Sequence, residues 1–230
     1  VTAQHSAAPR SRRERPAKPA LSREGIVATA VALMRAEGLQ RVTMRRLARE
    51  LDTGPASLYV YVRNTAALHA AVLDGLLGEV DLDPAVPGGD WQESAVAVLD
   101  SYTRVLLAHP QLARAALAVQ PSGPHYLALL ETLLRLLHEG GVPDDRAAWG
   151  VDVLLQTATA TAAEHATGDE AGRAGAATRS QAGTALADTP AATHPRLAAV
   201  GAELFTGTPE ERLGWAFRVL LNGIRHTPRA

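Results

Sequence analysis

The sequence predicts an all-α protein in two parts, an N-terminal three-helix helix-turn-helix domain followed by a C-terminal helical bundle. Three observations predict it. Apolar residues recur at helical spacing in segment after segment, no stretch sustains the alternation of a strand, and Gly, Pro and small polar residues punctuate the segments.

The 230 residues allow one large or two modest domains, and 47% hydrophobic content is ample for a buried core. There is no cysteine, so disulfides and thiolate metal sites are excluded and a reducing cytoplasm is expected. No apolar run approaches a membrane span, and the arginine-rich start lacks the apolar segment of a signal peptide. The net charge of −1 hides an asymmetry. Residues 1–65 hold twelve Lys/Arg against five Asp/Glu, and residues 66–230 hold eleven against nineteen. One end is basic, as a phosphate backbone requires, and the other acidic.

Residues 1–20 are rich in Ala, Pro, Ser and Arg without periodicity and are expected to form a disordered basic tail, either solvated or lying along DNA. Residues 21–80 form the first domain. Ser22 can cap a first helix that buries Ile26, Val27, Ala30, Val31, Leu33 and Met34 and ends at Gly38. Thr43 can cap a second, whose Met44, Leu47, Ala48 and Leu51 make one apolar stripe. Asp52, Thr53 and Gly54 break it, and Pro55 suits the first position of a third helix that buries only Leu58 and Val62. Asn64 then caps a longer helix, 65–80, with Leu68, Val72, Leu76 and Val80 along one face. That helix is the joint between the domains, and the boundary falls in residues 81–90.

Residues 81–230 read as helices throughout. Trp91–Ala108 is broken by His109-Pro110, Gln111–Val119 is short, and His125–Glu139 repeats Leu127, Leu130, Leu134 and Leu137. A helix opened by Pro143 runs to about His165, residues 167–192 are expected to be a loop or frayed helix, and His194–Phe205 and Pro209–Ile224 are the last two.

Two short helices joined by a three-residue turn form a helix-turn-helix when the second exposes polar groups. The small start of that helix, Gly54, Pro55 and Ala56, lets the backbone approach base edges, and Ser57, Tyr59 and Tyr61 offer hydroxyls to phosphates or bases. A plain helical hairpin would leave those exposed hydroxyls without a purpose.

The stretch RVTMRRLARELDTGPASLYVYVRNTAALHAAVLDGLL resembles the DNA-binding domain of the TetR family of bacterial regulators, with Leu58-Tyr59 in the recognition helix as its most telling mark; the resemblance covers about residues 22–80. Two positions depart from the family pattern, Asp52 where the turn usually carries Gly and Thr65 where a lysine usually follows Asn64. The resemblance implies that Arg45 reaches a base or phosphate and that Thr43, Ser57, Tyr59, Tyr61 and Thr65 hold phosphates of double-stranded operator DNA.

The later helices, beginning DWQESAVAVLDSYTRVLLAHPQLARAAL, are similar to the tetracycline-repressor branch. That similarity implies a homodimer through helices 143–165 and 209–224, whose Ala158, Ala160, Ala162 and Ala163 and Phe217, Val219, Leu220, Leu221 and Ile224 suit close helix–helix contact, either between subunits or only within the chain's own core. It also implies a pocket for a small-molecule inducer. Polar or aromatic interruptions of apolar helices nominate Tyr102, Gln120, Tyr126, Gln156, Thr157 and Glu164 for its lining. Val98 and Ala116 stand where tetracycline repressors carry polar or metal-binding groups, which implies a more hydrophobic inducer.

The eight histidines show no metal-ligand spacing, and neither a nucleophile–base pair nor a phosphate loop can be read, so no metal, cofactor or catalytic residue is expected. The reading is a ligand-responsive, cytoplasmic repressor. Its competitor is a helical partner-binding or non-specific DNA-binding protein without an inducer.

Overall fold

The computed structural model describes residues 20–84, 89–118, 121–165, 183, 190–201 and 203–229. The basic tail and Gln120 therefore lie outside the described residues, as does 167–192 apart from Gly183 and 190–192. Every regular element among those described is helical: α1 Arg23–Glu37, α2 Met44–Glu50, α3 Pro55–Tyr59, α4 Thr65–Leu77, α5 Trp91–Leu107, α6 Pro110–Ala116, α7 Pro124–Glu139, α8 Asp144–His165, α9 Pro195–Val200 and α10 Pro209–His226.

The helix starts follow their capping residues. Ser22 Oγ accepts from Gly25 N at 3.1 Å, Thr43 Oγ1 from Arg46 N at 3.2 Å, and Asn64 Oδ1 from Ala67 N at 2.8 Å, each taking a backbone donor that the first turn leaves free. Thr208 and Glu211 cap α10 reciprocally, side chain to backbone in both directions. Asp52, with φ of 46°, is the non-glycine residue that takes the left-handed conformation needed to turn from α2 into α3.

α1 packs on α4, and α4 runs on to touch α5, α6 and α7. In the second part α5 and α8 pair at the centre, α6 and α7 flank them, and α10 lies across both. Arg218 of α10 grips Glu93 of α5 with two bonds of 2.8 and 2.7 Å, and Gln92 meets Asn222 at 3.0 Å. A single apolar cluster runs from Ile26 through Leu68 and Leu99 to Leu221, so the joint helix belongs to both cores.

Three expectations need correction. The buried residues of α7 are Leu129, Leu133, Leu136 and Leu137, whereas Leu127 is exposed; leucines surround this helix, and only its packing against α5 and α8 selects the inner ones. His194–Phe205 is not one helix but α9 and a separate turn at Glu203–Phe205. On the expected dimer faces, Ala158, Ala162, Ala163, Phe217 and Leu221 are buried within their own chain; Ala160 and Val219 are exposed.

Candidate nucleic-acid interface and ligand cavity

α3 is held from below by Leu58 and Val62, which are buried, and it turns the rest of its surface outward. Pro55, Ala56, Ser57, Tyr59 and Tyr61 are all exposed, as are Gly54, Thr43, Arg45 and Thr65 on the neighbouring elements. The nine residues nominated for DNA therefore lie on α2, α3 and the helix starts beside them. Val60, 81% exposed at the C-terminal cap of α3, was not among them; the signal for it is its place outside the Leu58/Val62 stripe.

The arginines of α2 divide into two kinds. Arg45 is exposed, and no described residue pairs with it. Arg46 bonds Glu37 at the end of α1 at 2.7 Å and Glu50 one turn along α2, so it braces the two helices and is not free for DNA. The hydrogen bond to Arg46 holds the Glu37 carboxyl below its usual range, and the two carboxylates raise Arg46 in turn. Tyr61 is committed as well. Its hydroxyl donates to the Leu21 carbonyl at 2.8 Å, tying the end of α3 to the start of α1.

A cavity that gathers several of the residues nominated for ligand lies in the second part. It has a volume of about 530 Å³ and is lined by Leu73 of α4, Tyr102 of α5, Ala116 to Ala118 at the end of α6, Pro121, Tyr126 of α7, and Asp152, Leu155, Gln156, Thr159 and Ala160 of α8. Four nominated residues, Tyr102, Ala116, Tyr126 and Gln156, meet there. Three do not. Val98 is buried in the core with no face on the cavity, Thr157 lines a separate hollow beside α10 and bonds the Val153 carbonyl, and Glu164 is exposed near the end of α8. Asp152, Thr159 and Ala160 were legible from Gln156 by helical spacing, being four residues before it and three and four after. Leu73 was not, because only the tertiary fold brings α4 to this wall.

The cavity wall is mixed, with Leu73, Leu117 and Leu155 interleaved with oriented polar groups. The Tyr102 and Thr159 hydroxyls bond each other at 2.8 Å, and Gln156 Nε2 donates to Asp152 at 2.6 Å. Burial pushes the Tyr102 phenol up to about 12, although the Thr159 bond opposes it. Burial and then the Asp152 charge raise Tyr126 also. Both phenols thus stay neutral near pH 7 and can donate hydrogen bonds. Among the described residues the lining carries a carboxylate and no cationic side chain, which disfavours an anionic guest. Among the described residues no group of three or more His, Asp or Glu is placed to hold a metal, and no helix is long and apolar enough to cross a membrane.

A short exposed helix braced as a reading head, on a joint helix that also walls a cavity in a helical bundle, defines a helix-turn-helix protein with an attached sensor-like domain. The chain belongs to the tetR family of bacterial regulatory proteins: residues 26–72 match that family's N-terminal model, and residues 83–227 match the tetracyclin repressor-like C-terminal domain. Among solved structures it is similar to SCO7704, a proposed transcription regulator from Streptomyces coelicolor, with 60% identity, a TM-score of 0.74, and 93% of this chain and 98% of that one covered. ActR of Streptomyces coelicolor, solved in complex with actinorhodin, is 34% identical with a TM-score of 0.72 over 90% of this chain and 96% of its own. An HTH-type transcriptional regulator of Saccharopolyspora erythraea is 35% identical over 124 residues, 54% of this chain and 52% of the relative. The chain thus matches about half the length of that curated relative.

Proposed function

We propose that this chain is a ligand-responsive transcriptional repressor, which binds a palindromic operator as a homodimer and releases it on taking up a small, largely apolar molecule. The observation that carries the reading is the double use of α4. Its start, Thr65, stands beside the recognition helix, and its Leu73 lines the cavity. A guest that displaces Leu73 shifts the base of the reading head.

On DNA, Arg45 reads a base or holds a phosphate, the backbone at Gly54, Pro55 and Ala56 lies close to the major groove, and Thr43, Ser57, Tyr59 and Thr65 donate to phosphates. Tyr61 does so only by giving up its bond to Leu21. Val60 is placed to meet a thymine methyl. The homodimer forms on α8 and α10, where Trp149, Val153, Trp215 and Val219 remain exposed in two pairs one turn apart. Two reading heads then face successive major grooves about one DNA turn, roughly 34 Å, apart.

The inducer class follows from the lining: a neutral compound whose apolar body packs on Leu73, Leu117 and Leu155, with hydrogen-bonding groups for Tyr102, Thr159 and Gln156. The ActR complex with actinorhodin supports a small molecule as occupant. Such a protein acts in the cytoplasm, with no catalytic role.

Selection of DNA by the purified chain from a random pool tests this reading. A palindrome whose binding weakens as salt rises is expected. Binding without an enriched sequence would leave a basic helical protein that associates with DNA or acidic partners non-specifically.

A further inference from the structure

Three consecutive residues of α4 meet three different neighbours. Leu73 lines the cavity, Asp74 meets the start of α7, and Gly75 meets α1. Successive residues of a helix point about 100° apart, so a single turn can face all three. The Gly75 contact is close. A Cβ there would lie 2.9 Å from Val31 Cγ2, so the missing side chain is what lets α1 and α4 pack as one body.

Asp74 is the one charged side chain buried among the described residues, at 7% exposure. A buried carboxylate is costly unless hydrogen bonds compensate it. Here its Oδ1 accepts from the backbone N–H of Tyr126 at 2.9 Å, in the first turn of α7, where free N–H groups and the helix dipole favour an anion. The residue before a helix ordinarily supplies such a cap. In α7 that residue is Gly123, which has no side chain, and a Cβ on it would fall 2.1 Å from Asp74 Oδ2. α7 is therefore capped by another helix, and its cap lasts only while α4 keeps its place. Tyr126 completes the link, with its N–H held by Asp74 and its side chain in the cavity.

We infer that Asp74 is the positioning residue that couples the cavity to the reading head, an inference that rests on the operator-binding function proposed above. Fixing α1 and α4 on DNA fixes the start of α7 through Asp74, and a guest that displaces Tyr126 pulls the same bond from the other side. Linkage makes the two directions equal in free energy, so the coupling can be measured from the DNA side without the inducer.

The test is hydrogen exchange on the full chain, with and without an operator recovered by selection. Operator is expected to slow exchange in α3 and also in the first two turns of α7. In Asp74→Ala the protection of α3 remains and that of α7 is lost. Asp74→Asn, which keeps an acceptor of the same shape, retains the α7 response in part. Gly123→Ala, which forces the carboxylate away from the other side, must lose it as Asp74→Ala does. An α7 response that survives in a folded Asp74→Ala protein would overturn the coupling, because DNA would then reach α7 by a route that does not pass through Asp74. So would a wild-type α7 indifferent to operator while α3 is protected. A wild-type α3 that operator leaves unprotected would instead remove the operator reading, and the coupling with it.

Discussion

The reading head and the bundle arrange polar residues in opposite ways. In the head they lie outside: Arg45, Ser57 and Tyr59 face solvent, supported by the two buried side chains of the recognition segment, Leu58 and Val62. In the bundle they lie inside, where Tyr102 and Thr159 are buried against each other beside a cavity; Asp74 is buried at the joint. A surface built to bind a polyanion must leave its donors in water until DNA arrives, whereas polar groups buried in a bundle, as Tyr102 and Thr159 are, must be paired beforehand.

The largest expected effect is truncation of the head's anchor. Leu58→Ala should cost about 2–5 kcal/mol of stability and abolish operator binding, as read by thermal melts and DNA titration. Leu129→Ala deletes the same atoms from the bundle, at a comparable cost, and should leave base preference intact. If both changes altered base preference alike, the two regions would not be separable.

Arg45→Ala comes next, at about 1–3 kcal/mol of operator affinity with relaxed preference at one base pair in each half-site. A uniform loss across sequences would make Arg45 a phosphate contact instead. Two hydroxyl deletions then sharpen the contrast. Tyr61→Phe and Tyr102→Phe each remove one hydrogen bond and should each cost about 0.5–1.5 kcal/mol of stability. The first should also weaken operator binding, by loosening α3 from Leu21, and the second should instead alter the uptake of small molecules and leave operator binding by the ligand-free protein unchanged.

The smallest effect belongs to the brace between α5 and α10. Glu93→Gln should cost about 0.2–1 kcal/mol, as a largely exposed pair does. The hydrogen bond from Arg218 lowers the Glu93 carboxyl from 4.5, so the contribution is present above pH 4.5 and fades as pH falls through the lower folded value. Acid titration of stability should therefore lose that increment in the wild type and show none of it in the variant.

The sequence made the head legible because its information is local. Thr43, Asp52, Gly54, Pro55 and Asn64 punctuate short helices by capping and turn chemistry that operates within a few residues, and an exposed polar side chain needs no partner to be noticed. The bundle is different. Gln156 could be nominated as an interruption of an apolar helix, but Val98 was misplaced and Leu73 missed, because the wall of a cavity is assembled from residues far apart in the chain. Arg46 shows the same limit in the head, since its partner Glu37 lies on another helix. Asp74 could not be interpreted from its neighbours either, because its meaning depends on Gly123 and Tyr126 of a helix some fifty residues away.

The central claim is that the bundle holds two reading heads at one fixed spacing on DNA, and half-site spacing tests it most directly. Once an operator is in hand, about five base pairs, half a helical turn, inserted between its half-sites put them on opposite faces of the duplex. The account predicts that affinity then falls toward the non-specific level, a loss on the order of a thousandfold or more. Unchanged affinity would mean that each head binds alone, and would contradict it.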